Sequence, residues 1–241
     1  MGAAMKASNV EPLARGTRLA PNPRAGRLQL QPRPATVLRF TPTELVYHWV
    51  QALPFLVLLV TGGIILLQRA SDHTMLAAET LELVHKTAGV SMPSLILLTF
   101  AFGDRKVLLD NARMALSWGL DDLRWLALFP IHNFIPSVHV PSADKFNSGQ
   151  KISLLAQMVL QPAFLATGVA IWLRPAALLP WVLHVALFAV SVPLVLGHLH
   201  LALVNRSTRK GLSGVFTGRV DARWASEHYP KAYPLDEERA D

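Results

Sequence analysis

The chain has 241 residues, of which 51% are hydrophobic and only 16% charged, well below the ~25% charge of a typical soluble domain. It has no cysteine, which excludes disulfides, cysteine-held iron–sulfur clusters and thioether-attached haem on this chain. A formal charge of +7 would suit nucleic acid in a soluble protein, but seven Lys/Arg precede Thr41 and seven follow Asn205. They flank the apolar runs, as the positive-inside rule places them, and no nucleic-acid partner is expected.

Residues 1–38 are rich in Pro, Arg and Ala and lack the short apolar core of a signal peptide, so they are expected to form a flexible basic tail. Four apolar runs then follow, at about 45–67, 81–102, 152–173 and 181–204, each near the ~20 residues a crossing needs. Pro54, Pro93, Pro162 and Pro193 lie inside them, with Gly62, Gly63 and Gly197; membrane helices tolerate both residue types. The second run starts least clearly, because Glu82, His85 and Lys86 cluster there. The first and third connections carry one Lys/Arg each, Arg69 and Arg174, whereas the middle connection, 103–150, carries five. With both tails basic, this asymmetry puts both termini and the middle connection on the cytoplasmic side. Residues 110–129 read as an amphipathic helix on the membrane surface. No internal repeat or phosphate-binding glycine motif is present. The expectation is an all-α integral membrane four-helix bundle over 39–205, with a cytoplasmic C-terminal tail over 206–241.

The histidines are the residues this architecture does not account for, since ionisable groups inside a membrane ordinarily face a site or a partner. On a helix, 14 residues return the direction to within roughly 40°, so His184 and His198 share one face about 21 Å apart along the axis. His200 falls roughly 160° from His184; it competes with His198 and is disfavoured by this register alone. In the expected topology His48 and His198 sit toward the cytoplasm, and His85 and His184 toward the outside. Each membrane level then has two helices offering one histidine apiece, which is what two six-coordinate haems b need. Gly62, 14 residues after His48, and Gly89, one turn after His85, offer room for a porphyrin. A single histidine near a helix end is ordinarily interfacial, but four that pair by depth favour ligation. Zinc fits less well, because a structural site needs four converging ligands and these are divided between two depths. His73, His132, His139 and His228 fall in loops or tails, where solvation is the default.

Three motifs carry a family resemblance over nearly all of 39–233. RFTPTELVYHW (39–49), KFNSGQK (145–151), and GHLH followed by GVFTGRVDARWASEHYPKAY (214–233) together resemble the cytochrome b (gamma) subunit of membrane-bound formate dehydrogenases. The resemblance implies a four-helix subunit with two haems b, the outer held by His85 and His184 and the inner by His48 and His198. It also implies a menaquinone or ubiquinone site beside the inner haem, involving Asn147, Gly149, Gln150, Lys151 and His198. An Asn or Gln amide can hydrogen-bond a quinone carbonyl, although Asn147 or Ser148 would equally serve as the cap of the third helix. Family members often carry tyrosine where His200 stands, the segment 129–146 is longer than usual, and the N-terminal tail is unmatched.

By this resemblance the chain sits in a bacterial cell inner membrane as a multi-pass electron-transfer subunit with no formate-oxidising site of its own. Its implied partners are an iron–sulfur beta subunit, a catalytic alpha subunit containing molybdenum or tungsten, and membrane lipid. Two other expectations stand beside it: a cytochrome b subunit for a hydrogenase or a thiosulfate or polysulfide reductase, and a haem-free membrane anchor.

Overall fold

The computed structural model describes residues 35–71, 78–135 and 137–234, apart from the side chain of Asn133. Most of the expected N-terminal tail, His73 and the last seven residues therefore lie outside the described residues. In chain order the elements are β1 (Thr36–Leu38), α1 (Pro42–Ser71), α2 (Ala78–Phe102), α3 (Arg105–Leu116), α4 (Leu120–Phe134), α5 (Ser148–Leu173) and α6 (Leu178–Leu199). A π-turn (His200–Val204), a 3-10 turn (Thr208–Leu212), α7 (Ser213–Thr217), β2 (Arg219–Asp221) and α8 (Ala222–His228) complete the chain.

Helices α1, α2, α5 and α6 are long and apolar enough to cross a membrane, and each starts three or four residues earlier than its apolar run. At α1 and α5 the reason is polar capping chemistry that hydropathy does not register. At α1, Thr41 N–H donates to Glu44 Oε2 at 2.8 Å while Glu44 N–H donates to Thr41 Oγ1 at 3.4 Å. That is a capping box, with Pro42 in the first helical position where its missing N–H costs nothing. Asn147 and Gln150 form the equivalent box at α5.

The spans are turned inside out relative to a soluble bundle. Large apolar side chains such as Val60, Leu97, Val159 and Leu196 are exposed, and the buried positions include Glu44, Gln51, Thr61, Thr99 and Ser191. Without water on the outside, small and polar residues let helices approach and then hydrogen-bond across the contact. Gln161 Nε2 donates to Gln51 Oε1 at 2.7 Å, tying α5 to α1. Helices α1 and α2 pack as one hairpin and α5 and α6 as another.

Three expectations change here. The single amphipathic helix over 110–129 is two helices, α3 and α4, broken at 117–119. Ser117 caps α3 through its N–H to Arg113 O, and Asp122 accepts from Gly119 N–H to start α4 afresh. The fourth span is α-helical only to Leu199; its last five residues form the π-turn. The chain ends flanking the bundle are also more structured than tails. β1 and β2 pair antiparallel, Val37 opposite Val220, and Val220, Trp224, Ala225 and Tyr229 form a small core with Ala143. Gly218 permits the turn into β2: its φ is +73°, a left-handed conformation that side chains with a Cβ rarely adopt. Its carbonyl accepts from both Arg39 N–H (2.7 Å) and Phe40 N–H (3.0 Å). Trp49 Nε1 donates to Val215 O at 2.8 Å and binds this cap to α1.

The same end holds a buried ion pair. Lys145 Nζ lies 2.6 Å from Glu44 Oε1, with the carboxylate side chain 6% exposed. Asn111 bridges the two, donating to Glu44 at 2.6 Å and accepting from Lys145 at 2.9 Å. Removing one charge strands the other, at a cost of about 3–5 kcal/mol for a fully buried pair. Lys145→Met should therefore lower the thermal unfolding midpoint in detergent. Glu44→Gln combined with Lys145→Met should recover most of the loss, and a double-mutant cycle measures the coupling.

Candidate functional site

The four histidines singled out by depth meet as two pairs. His48 on α1 faces His198 on α6 with ring centroids 6.4 Å apart. His85 on α2 faces His184, also on α6, at 6.3 Å. No hydrogen bond joins either pair among the described residues. The spacing discriminates between two kinds of contact. A direct imidazole–imidazole hydrogen bond of about 2.9 Å would draw the centroids to roughly 5 Å. Two imidazoles bonded to one metal at about 2 Å each sit roughly 6 Å apart. Both pairs match the second arrangement.

His85 and His184 have a further feature in common. His85 Nδ1 lies 2.7 Å from Thr61 Oγ1 on α1, and His184 Nδ1 lies 2.8 Å from Thr167 Oγ1 on α5. Each hydroxyl also reaches a main-chain carbonyl one turn back, Thr61 to Val57 O at 2.7 Å and Thr167 to Ala163 O at 2.8 Å. A carbonyl can only accept, so the single hydroxyl proton goes to it and the ring Nδ1–H donates to the hydroxyl oxygen. Nε2 is then the nitrogen with a free lone pair on both rings. Metal-bound histidines ordinarily show this second hydrogen bond at the non-ligating nitrogen. Sequence reasoning missed both threonines. The signal was the Thr-Gly dipeptide at 61–62 and again at 167–168, each inside a span.

The glycines serve the imidazoles directly. A Cβ on Gly62 would stand 3.2 Å from His85 Cε1, and one on Gly168 3.5 Å from His184 Cε1. Gly62 thus gives room to His85, whereas Gly89 packs toward Leu58 of α1. The neighbours of His48 and His198 differ: Trp49 lies edge-on to the His48 ring at 5.3 Å, and no side chain hydrogen-bonds either ring among the described residues. His200 opens the π-turn and is exposed. Its carbonyl accepts from Asn205 N–H at 3.0 Å. His228 is structural, stacked on Trp224 at 4.6 Å, with its nitrogens near Ser207 Oγ and Trp224 O. His132 Nδ1 meets Val138 O at 2.7 Å, and His139 is exposed.

The segment 147–151 forms the entry to α5. Asn147 Oδ1 accepts from Gln150 N–H at 2.9 Å and Gln150 Oε1 accepts from Asn147 N–H at 3.1 Å. Both carbonyl oxygens are used by the cap, and the side-chain NH2 groups remain as donors. A Cβ on Gly149 would meet the Trp125 ring at 3.4 Å, which seats α4 against α5. Lys151 Nζ pairs with Asp122 at 2.8 Å and donates to Ser117 O at 2.8 Å, while Ser148 Oγ donates to Asp122 at 2.9 Å. A cavity of about 80 Å³ opens beside this entry, lined by Asp122, Trp125, Phe146, Asn147 and Lys151 among others.

A membrane bundle whose fourth span meets two other helices through paired imidazoles is the scaffold of a haem-carrying membrane cytochrome. Residues 39–218 match the prokaryotic cytochrome b561 family, and the chain belongs to that family, whose members carry haem b. It is similar to the formate dehydrogenase cytochrome b556(fdo) subunit of Escherichia coli K12, 24% identical over 209 residues that cover 82% of this chain and 92% of the relative. It is also similar to the nitrate-inducible formate dehydrogenase cytochrome b556(Fdn) subunit of the same strain, 31% identical over 103 residues, 39% of this chain and 46% of the relative. These are subunits of the kind that the three motifs resemble.

Two outcomes follow from this geometry. Gly62→Ala forces His85 to shift by a few tenths of an ångström, whereas Gly168→Ala adds an ordinary contact. Haem per chain, assayed as the pyridine haemochrome, should fall in the first variant and hold in the second. Burial pushes the Asp122 carboxyl up, but hydrogen bonds from Lys151, Gly119 N–H and Ser148 outweigh it and hold the pKa below the usual aspartate value. Its stabilisation is complete above the ordinary pKa of about 3.9 and is lost as pH falls through the lowered one. Asp122→Asn should therefore flatten the acid limb of a plot of unfolding midpoint against pH.

Proposed function

We propose that this chain is the membrane cytochrome b subunit of a formate dehydrogenase complex and that it binds two haems b. His85 and His184 hold the outer haem; His48 and His198 hold the inner one. The observation that carries the reading is the pair of imidazole separations, 6.3 and 6.4 Å, in a chain of a cytochrome b family. The relatives' names support the assignment to such a complex, and the basic chain ends favour an orientation with both termini cytoplasmic in an inner membrane. Bound haem b provides a one-electron carrier at each of two membrane depths.

The chain's own residues divide the remaining work. The histidines fix each carrier, and the hydrogen bond at Nδ1 leaves Nε2 of His85 and His184 unprotonated. The spans exclude water between the two levels, so an electron moving inward crosses charge through a low-dielectric layer. Electrons enter from an iron–sulfur subunit, itself served by an outward-facing catalytic subunit containing molybdenum or tungsten. Quinone, menaquinone or ubiquinone, is reduced at the cytoplasmic end, taking up two electrons and two protons to leave as quinol. Asn147, Gly149, Gln150 and Lys151, with His198, form its site in this reading. The side-chain NH2 groups of Asn147 and Gln150, which donate to no partner among the described residues, suit a quinone carbonyl, and Lys151 contributes by anchoring the segment to Asp122.

The test is a reduced-minus-oxidised spectrum of the purified chain with a pyridine haemochrome count. Two haems b per chain are expected, with His184→Ala and His48→Ala each losing one, a different one in each case. No haem in an intact preparation would leave only a structural anchor. A co-purifying hydrogenase or sulfur-compound reductase would instead reassign the partner.

A further inference from the structure

The outer and inner histidine pairs are similar in spacing and different in support. Each outer histidine lies against a Thr-Gly step on the partner helix of its own hairpin. Thr61-Gly62 of α1 receives His85 of α2, and Thr167-Gly168 of α5 receives His184 of α6. The two hairpins thus share one device, a hydroxyl that takes the ring Nδ1–H, with a glycine beside each ring that is closer at Gly62 than at Gly168. Each hydroxyl passes its own proton to a helix carbonyl, making a polarised chain from ring to backbone. The pair His48–His198 has no such chain among the described residues.

We propose that Thr61 and Thr167 are positioning residues that make the outer haem the more reducing of the two. The proposal rests on the haem reading given above. A ligand imidazole whose Nδ1–H donates to an acceptor is a stronger base at Nε2. A stronger axial base favours ferric over ferrous iron, so it lowers the midpoint potential. With two such ligands on one haem and none on the other, electron transfer from outer to inner haem runs downhill.

The test is an optical redox titration of the full chain purified from membranes in detergent, with haem counted in every sample. His85→Ala identifies which midpoint belongs to the outer haem. Thr61→Val and Thr167→Val keep the shape of the side chain and remove the hydroxyl; Thr61→Ser and Thr167→Ser restore it. Each Val variant should keep two haems and shift the outer midpoint upward, raising the ferrous-to-ferric ratio at a fixed potential several-fold. A tenfold change corresponds to about 59 mV for one electron. The inner midpoint should stay put and the Ser variants should titrate like the parent.

Loss of the outer haem in Val but not Ser variants also supports the role of the hydroxyl. Unchanged midpoints with both haems retained in both Val variants would overturn it, as would loss of the outer haem in Ser and Val alike. A parent chain without haem, or one whose haem content ignores His85→Ala, overturns the haem reading and this proposal with it.

Discussion

Helix α6 is the constraint on which the rest of the bundle depends. It carries one histidine of each pair, and Ser191 stands seven residues from both His184 and His198. Two heptads on a straight helix drift by only about 40°, so the three residues lie along one seam. Ser191 is 1% exposed, small enough to let neighbouring helices close on α6 between the two histidine levels. Its hydroxyl is returned to Phe188 O, which removes the cost of burying it without a partner. The other helices can be understood by what they bring to that seam: α1 brings His48 at one end, α2 brings His85 at the other, and α5 supports His184 through Thr167.

Polar groups inside this bundle are therefore organised by depth rather than scattered. The end near the chain termini concentrates charge, with Glu44 and Lys145 bridged by Asn111, and Lys151 joined to Asp122. These pairs sit where the short helices α3 and α4 meet the ends of the spans. Deeper in, charge gives way to neutral hydrogen bonds such as Gln51 to Gln161. At the far histidine level the rings themselves meet only threonine hydroxyls among the described residues, and the nearby Glu82–Lys86 pair is exposed. That gradient is what a low-dielectric slab imposes, because an unpaired charge costs more than an amide and an amide more than a satisfied hydroxyl. It also leaves the two histidine pairs in different surroundings despite their similar spacing.

Much of this was legible in the sequence. Length and hydropathy set the four spans because a bilayer demands about 20 apolar residues whatever the fold. The 14-residue interval from His184 to His198 followed from helix geometry alone, and depth matching paired those residues with His85 and His48. Less visible were the helix starts at Pro42 and Ser148, which depend on Thr41–Glu44 and Asn147–Gln150 closing on each other. The break at 117–119 was hidden because an amphipathic pattern can continue in register across a cap. The strand pairing of 36–38 with 219–221 joins segments about 180 residues apart, beyond the reach of any local signal.

The sequence by itself determined that four segments are long and apolar enough to cross a membrane, and which histidines share a level along them. These are properties of hydropathy and helical period, and they survive any rearrangement of neighbours. Only the tertiary structure decided that each pair closes to a spacing a metal could bridge. It alone showed that Gly62 faces His85, and that Thr61 and Thr167 hold the second nitrogen of two histidines from adjacent helices. Those facts depend on helix rotation and approach distance, which are set by small residues such as Ser191 and Gly168 packing across an interface. A single chain's pattern reports which face a residue occupies, and packing decides what that face meets.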